Sequence, residues 1–321
     1  MFSRFFTTFA PVKTENLHES TRLSNACAAT IGCFDGVHCG HQLLIKKMQQ
    51  EAQARGLESV VVTFDRLPRQ LFDPDFHPQL LSTLREKESL LAAMGIDRLV
   101  VLPFTKPLAH LSAQTFMQQV LSEQLGVRVL VTGYDNRFGH NRSEGFDDYV
   151  RYGQQLDMAV VRGDVAFFHD SDEAVSSSAI RRCLLNGEVA LAAEGLSRPY
   201  RLTGHVVQGE HIGHQLGFPT ANLQPDDAEK LIPANGAYAV WAHVDGVRMP
   251  AMMNIGMRPT FQGTRQTLEV HILNPVGDVY GHPLTVGFVA RLREERRFES
   301  QEALVDQLQQ DRRQALAILQ Q

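Results

Sequence analysis

The feature that most constrains the fold is a change of period partway along the chain. As far as Gly187, short β-rich runs alternate with helical stretches. "AATIGCF" precedes "HQLLIKKMQQEAQARG", "SVVVTF" precedes "LREKESLLAAMG", and "RLVVLPF" precedes "SAQTFMQQVLSEQLG"; "RVLVTG" and "MAVVRG" follow, the second leading to "SSSAIRRCLLNG". Strands apolar on both faces and separated by helical crossovers predict a parallel sheet with helices on each side, a doubly wound α/β domain. After "EGLSRPYRLTG" the crossovers stop. "YRLTGHVVQG", "GAYAVWAHVDG", "VRMPAMMNIG", "QTLEVHILN" and "LTVGFVARL" are punctuated by Gly, Asn, Asp and Pro, with no helix until "ESQEALVDQLQQDRRQALAILQQ". That spacing predicts an antiparallel β-barrel closed by a C-terminal helix. The expected organisation is an N-terminal extension over 1–24, an α/β domain over 25–195 and a barrel domain over 200–321, two unlike modules without an internal repeat.

Composition narrows the function classes. A chain of 321 residues is long enough for two cores. Its 31 Lys and Arg against 36 Asp and Glu leave a net charge of -5, which argues against a broad nucleic-acid surface, so any phosphate must be held locally. Cys27, Cys33, Cys39 and Cys183, three of them within the first 40 residues, resemble no secreted disulfide framework, and a reducing cytoplasm is expected. The opening "MFSRFFTTFAPVK" has too short an apolar run for a secretory core or a membrane span. Neither nucleic acid nor membrane is expected as a partner.

In doubly wound sheets ligands gather beyond the carboxyl ends of the strands, and "GCFDGVHCGH", Gly32 to His41, occupies that place after the first apolar run. His38 and His41 are i and i+3, so a helix beginning near Val37 sets both rings on one side of its first turn, beside amides without intrahelical partners. Helix dipole, amides and imidazoles together make a polyphosphate site, and Gly32, Gly36 and Gly40 let the backbone approach closely. No side chain here is a convincing nucleophile. A metal site from Cys33, His38, Cys39 and His41 lacks the paired spacing of structural zinc. Histidines that merely cap a turn are the plain alternative.

These residues also form a family pattern. "GCFDGVHCGH" resembles the G-x-F-D-x-x-H-x-G-H signature of the class I nucleotidyltransferases, and the longer stretch looks like the adenylyltransferase half of the bacterial bifunctional riboflavin kinase/FAD synthetases. "VTGYDNRFGHNRSEG" is similar to that family's G-x-D-F-x-F-G-x-x-R-x-G loop, and "VSSSAIRRCLLNG" to its I-S-S-T-x-I-R segment. "GHVVQGEHIGHQLGFPTANL" and "TLEVHIL" look like its riboflavin kinase motifs, so the resemblance spans nearly the whole chain.

The resemblance implies a Rossmann-like nucleotidyltransferase domain followed by a riboflavin-kinase barrel. The activity it implies is phosphorylation of riboflavin by ATP to FMN, then transfer of AMP from ATP to FMN to give FAD and pyrophosphate, with Mg2+. His38 and His41 would neutralise charge on the ATP phosphates. Gly32, Phe34, Asp35, Gly36 and Gly40 would line the nucleotide. Ser177, Ser178 and Arg181 would hold the β and γ phosphates from the opposite side, the plain reading of such serines being N-caps. Asp135, Arg137, Phe138 and Arg142 would line the nucleotide and flavin, against the plain reading of a charged surface loop. Cys33 stands where the family usually has Asn, and Asn136 where it usually has Phe; loss of that aromatic weakens stacking on the isoalloxazine ring.

In the barrel half G-K-[ST] is absent, which excludes a P-loop kinase. Gly209, Gly213 and Gly217 are the expected phosphate-binding glycines. Thr220 and Asn222 are two apart, so on an extended segment they face the same way and can share one Mg-ATP. Glu269 alternates with the apolar Leu268 and Val270 and projects from the other face of its strand. The resemblance raises it from a solvated glutamate to the general base for the 5'-hydroxyl of riboflavin, and it sets Arg258, Arg293 and Arg297 near flavin or phosphates. Competing readings are a flavin- or nucleotide-binding protein without turnover, a riboflavin kinase with weak or absent FAD synthesis, and a nucleotidyltransferase for another phosphate ester. The last explains the first domain only.

Overall fold

The computed structural model describes residues 13–16, 22–134, 136–140, 142–208, 218–260, 263–274, 277 and 279–320. Asp135, Gly209, Gly213 and Gly217, expected to bind ligands, lie outside the described residues. The chain forms two compact units, Met1–Pro78 with Ser82–Val175, and Gln79–Leu81 with Ser176–Gln321.

The first unit is a parallel sheet wrapped by helices. In chain order it runs β1 Lys13–Asn16, β2 Cys27–Ile31, α1 Cys39–Arg55, β3 Glu58–Phe64, α2 Pro68–Phe72, α3 Leu84–Ala92 and β4 Arg98–Leu102. It continues with α4 Lys106–Ala109, α5 Ala113–Phe116, a π-helical stretch Met117–Gln124, β5 Val127–Thr132, α6 Phe146–Gln155 and β6 Ala159–Arg162. The strand order is β1-β4-β3-β2-β5-β6 with every pair parallel, the doubly wound arrangement expected from the sequence. β1 was not foreseen: its residues KTEN carry no apolar signal, yet they pair with β4 at the sheet edge.

All five residues of β2 are buried, as a central parallel strand requires. Cys27, Ala29 and Ile31 pack with Phe116, Met117 and Tyr149, while Ala28 packs with Leu44, Ile45 and Met48 of α1. Small residues at these positions let helices approach the strand from both sides. Burial of Val60, Val61 and Val62 in the neighbouring strand stabilises the sheet by on the order of 5 kcal/mol before the cost of ordering the chain.

The second unit comprises α7 Ser177–Asn186, α8 Val189–Leu196, β7 Arg201–Val207, β8 Ala221–Pro225, β9 Gly236–Val244, β10 Val247–Thr260, β11 Gly263–Ile272, β12 Pro283–Arg293 and α9 Gln301–Leu319. Its strands close an antiparallel barrel in the order β10-β11-β8-β7-β12-β9, again as the sequence pattern predicted. Gly204 is needed for this closure, because a Cβ there would lie 2.1 Å from the Gln224 carbonyl oxygen. Ala315 and Leu319 of α9 pack with Phe218, Ala239 and Met252 on the barrel. Asp311 of α9, 2% exposed, accepts from Arg293 Nε at 2.9 Å.

The sequence reading divides the domains at 195–200, where the period changes. The compact units meet at Val175, and α7 and α8, which precede that change of period, pack with the barrel: the Ala234 amide donates to the Leu184 carbonyl at 3.0 Å, and Arg291 Nη1 to that of Asn186 at 3.5 Å. No helix among the described residues is long and apolar enough to cross a membrane.

Candidate active sites

β3 and β4 lie on one side of β2, and β5 and β6 on the other, so the winding reverses between β2 and β5. The crevice beyond their carboxyl ends is where an open α/β sheet binds its ligand. The segment after β2 fills that position.

Phe34 (φ 48) and Val37 (φ 41) both take left-handed backbone, which bulky side chains rarely adopt, and Gly36 lies between them at φ 78. Surrounding contacts hold this turn. Asp35 is 5% exposed and accepts from the Ser82 amide at 3.0 Å, while the Gly36 amide donates to Ser82 Oγ at 2.9 Å. Ser82 is itself fixed beside the first turn of α3, where Thr83 and Glu86 form a capping box. Asp35, expected to line the nucleotide, therefore braces the turn, and Phe34 is fully buried with its ring 5.0 Å from that of His41.

α1 begins at Cys39, not at Val37, and His38 is its N-cap. The His41 amide donates to His38 Nδ1 at 3.4 Å, which assigns the His38 proton to Nε2 in the neutral ring. The two rings stack with centroids 3.6 Å apart, as the i, i+3 spacing predicted. Gly40 permits this, since a Cβ there would crowd the His38 ring at 3.2 Å. Burial, then the neighbouring His38 and Lys87, hold the His41 pKa well below its usual 6.5, so His41 is a neutral imidazole rather than a cation. Its Nδ1 is a buried atom with no hydrogen-bond partner among the described residues, as is Thr30 Oγ1 in β2. Such atoms cost about 1 to 3 kcal/mol each unless a ligand or water meets them. No group of three or more His, Cys, Asp or Glu among the described residues could hold a metal ion.

In the loop after β5, Arg137 and Arg142 are exposed, and Arg142 Nε donates to the Arg137 carbonyl at 3.2 Å. Phe138 faces the core: its ring stacks on Tyr149 at 4.2 Å, and its amide donates to the Tyr149 hydroxyl at 3.0 Å. Asn136 donates to the Ile31 carbonyl at the end of β2. At α7 the cap is Ser176, whose Oγ accepts from the Ala179 amide at 3.2 Å; Ser177 and Ser178 follow in the first turn, and Arg181 Nε donates to the Gln79 carbonyl at 2.7 Å. The sequence reading passed over Ser176, although a serine ahead of the helical pattern is itself a cap signal.

On the barrel, register places Asn222 opposite Glu269, and Glu269 opposite Asn254, in one row across β8, β11 and β10. Residues in such a row share a face. Leu268 and Val270 are buried on the other face, so Glu269 projects as the alternation predicted. Glu269, Asn222 and Thr220 make no side-chain hydrogen bond among the described residues and are only partly buried. Asn254 was missed because only register brings it there. His271, next along the same face, donates Nδ1–H to the Pro219 carbonyl at 2.7 Å and thereby fixes the backbone ahead of Thr220. Burial lowers the His271 pKa, which keeps the ring a neutral donor. A cavity of about 410 Å³ is lined by Asn222, Arg258, Thr267 and Leu268 among others; Glu269 is not on its wall. Arg297 is exposed, and Arg293 is committed to Asp311.

Comparison with known proteins matches each half separately. A family model described as FAD synthetase covers residues 20–179, and one described as riboflavin kinase covers 196–319. The bifunctional riboflavin kinase/FMN adenylyltransferase of Pseudomonas fluorescens is 38% identical over 289 residues, 90% of this chain and 91% of that protein. The protein of the same name from Escherichia coli strain K12 is 37% identical over 89% of this chain and 90% of its own, and that of Bacillus subtilis strain 168 is 33% identical over the same shares. A crystal structure titled as a macrolide-efflux protein from Streptococcus pneumoniae superposes with a TM-score of 0.85 at 30% identity, covering 94% of this chain and 98% of that one.

Proposed function

The chain belongs to the bifunctional riboflavin kinase/FMN adenylyltransferase family, and from that membership we propose that it makes both flavin cofactors. Riboflavin is phosphorylated by ATP to FMN, and FMN then receives AMP from a second ATP, giving FAD and pyrophosphate. The observation that carries this reading is that each half matches its own family model, over 20–179 and 196–319. In this reading 25–195 carry the adenylyltransferase and 200–321 the kinase, with 1–24 an extension.

Adenylyl transfer needs no covalent chemistry from the protein; it needs positioning and stabilisation of charge moving onto pyrophosphate. His38 Nε2–H and the His41 ring, whose Nδ1 has no hydrogen-bond partner among the described residues, offer neutral imidazoles at the N-terminus of α1, where free amides and the helix dipole also favour phosphate. Ser177, Ser178 and Arg181, in the first turns of α7, are further phosphate-binding residues in this reading. Arg137 and Arg142, exposed beyond β5, receive the nucleotide and flavin.

In the kinase half Glu269 accepts the proton of the riboflavin 5'-hydroxyl as it attacks the γ-phosphate. Its carboxylate has no internal partner among the described residues, as a base awaiting substrate requires. Mg2+ accompanies ATP as a hard cation that keeps most of its ligands as water and phosphate oxygens. The uncommitted Thr220 hydroxyl and Asn222 amide oxygen fit such an ion, and would hold it; its chemistry is to offset phosphate charge. Arg258 on the cavity wall serves phosphate or flavin. Four free thiols suit a reducing cytoplasm, and the charge of -5 suits small-molecule rather than nucleic-acid partners.

The test is direct. Purified protein is incubated with MgATP and riboflavin, then with MgATP and FMN, and the flavins are separated by chromatography. FMN followed by FAD is the expected result. FMN alone would show that Cys33 and Asn136 had cost the adenylyl transfer, and no product from either substrate would leave a flavin-binding protein.

A further inference from the structure

α3 buries two side chains, Lys87 and Leu91, one helical turn apart. A lysine therefore occupies a core-facing position that an apolar residue would fill at less cost. The side chain is 8% exposed, and among the described residues no hydrogen bond joins its ammonium to a carboxylate. Its three N–H groups meet three acceptors instead: the Cys33 carbonyl at 3.1 Å, Thr63 Oγ1 at 3.1 Å and the Phe64 carbonyl at 3.2 Å. Thr63 Oγ1 also donates to the Cys33 carbonyl at 3.2 Å, so that oxygen is gripped twice.

The Cys33 carbonyl belongs to the peptide plane that sets φ of Phe34, the first left-handed residue of the turn before α1. A backbone in that region persists only where its surroundings over-determine it. Lys87 and Thr63 are that constraint at the start of the turn, and the Asp35 and Gly36 contacts with Ser82 are the constraint at its middle. The ammonium is also close enough to His41 to oppose its protonation, together with His38. Burial lowers the Lys87 pKa from its usual 10.5, and the electrostatic influence of Cys33, Asp35, Glu88 and Asp65 opposes that shift.

Resting on the adenylyltransferase reading above, we propose that Lys87 is a positioning residue for adenylyl transfer. It fixes the Cys33 carbonyl so that the turn presents His38 and His41 in register, and it sets an ammonium close to His41. A preorganised charge of this kind costs no reorganisation when negative charge builds on the leaving pyrophosphate.

The test compares Lys87→Met, which keeps the length and loses the charge, with Lys87→Gln, which keeps donors and loses the charge. Both variants are assayed in the full chain for FAD formation from FMN and for riboflavin phosphorylation, with His41 titrated by NMR. The expected result is a fall in adenylyl-transfer kcat/KM for MgATP on the order of 100-fold in Lys87→Met and less in Lys87→Gln. Kinase turnover should stay within about twofold, and the His41 pKa should rise once the cation beside it is gone. FAD formation within about threefold of wild type in both variants overturns the proposal. So does a parallel loss of both activities with a lowered melting temperature, or an unmoved His41 pKa, since each would make the lysine only structural. Absence of FAD formation in the wild type would instead sink the adenylyltransferase reading itself.

Discussion

Asn136 donates its side-chain amide to the carbonyl oxygen of Ile31 at 2.9 Å, across 105 positions of sequence. Ile31 is the last residue of β2, the strand at which the winding reverses. In the related family this position usually carries Phe. Here the polar residue ties the loop after β5 to the strand that leads into the His38 turn, so it substitutes a backbone anchor for an aromatic face.

Replacing Asn136 by Ala should leave the Ile31 carbonyl without its donor and destabilise the first unit by about 1 kcal/mol. FAD formation from FMN should fall while riboflavin phosphorylation holds. Urea unfolding and the two assays on one preparation decide it; unchanged FAD formation would mean that the anchor does not serve the site.

Glu269→Gln should reduce riboflavin phosphorylation by about 100- to 10,000-fold, the contribution of a positioned general base, and leave FAD formation from FMN intact. Steady-state rates with each flavin separate the two activities. Kinase turnover at the wild-type level would refute the assignment of the base.

His41 should make folding acid-sensitive. Its folded pKa lies well below the ordinary 6.5, so below about pH 6.5 the unfolded chain takes up a proton that the folded one refuses. The stability it contributes is complete above the unfolded pKa and is lost as pH falls toward the folded one. His243 and His271 are shifted in the same direction, so the informative quantity is the difference from His41→Gln. Between about pH 7.5 and about pH 5.5 the wild type should lose more urea stability than the variant. Equal losses would show that His41 does not refuse the proton.

Arg293→Ala should leave the buried charge of Asp311 without its cation, with only the Gln307 amide still donating to it, and cost about 3 to 5 kcal/mol, loosening α9 from the barrel. The family resemblance sets Arg293 near flavin or phosphates. Differential scanning calorimetry should register the loss in the second unit, and hydrogen exchange should rise along α9. A melting temperature equal to that of the wild type would argue that the pair contributes nothing net.

What the sequence determined by itself is local. Period distinguishes the twofold strands of the barrel from the helical crossovers of the sheet, because side-chain direction repeats every two residues in one and every 3.6 in the other. The i, i+3 spacing of His38 and His41 put their rings together, and the alternation around Glu269 set it opposite its apolar neighbours. Tertiary structure alone decided which polar groups remain free for ligands. Arg293 is engaged by Asp311, Asp35 by Ser82, and Lys87 by Cys33, 54 positions away. Asn254 joins the Glu269 row only through strand register, and α7 and α8 join the barrel only through packing. A buried polar group must find a partner wherever the fold brings one near, and that choice is made by contacts between distant segments that no local period encodes.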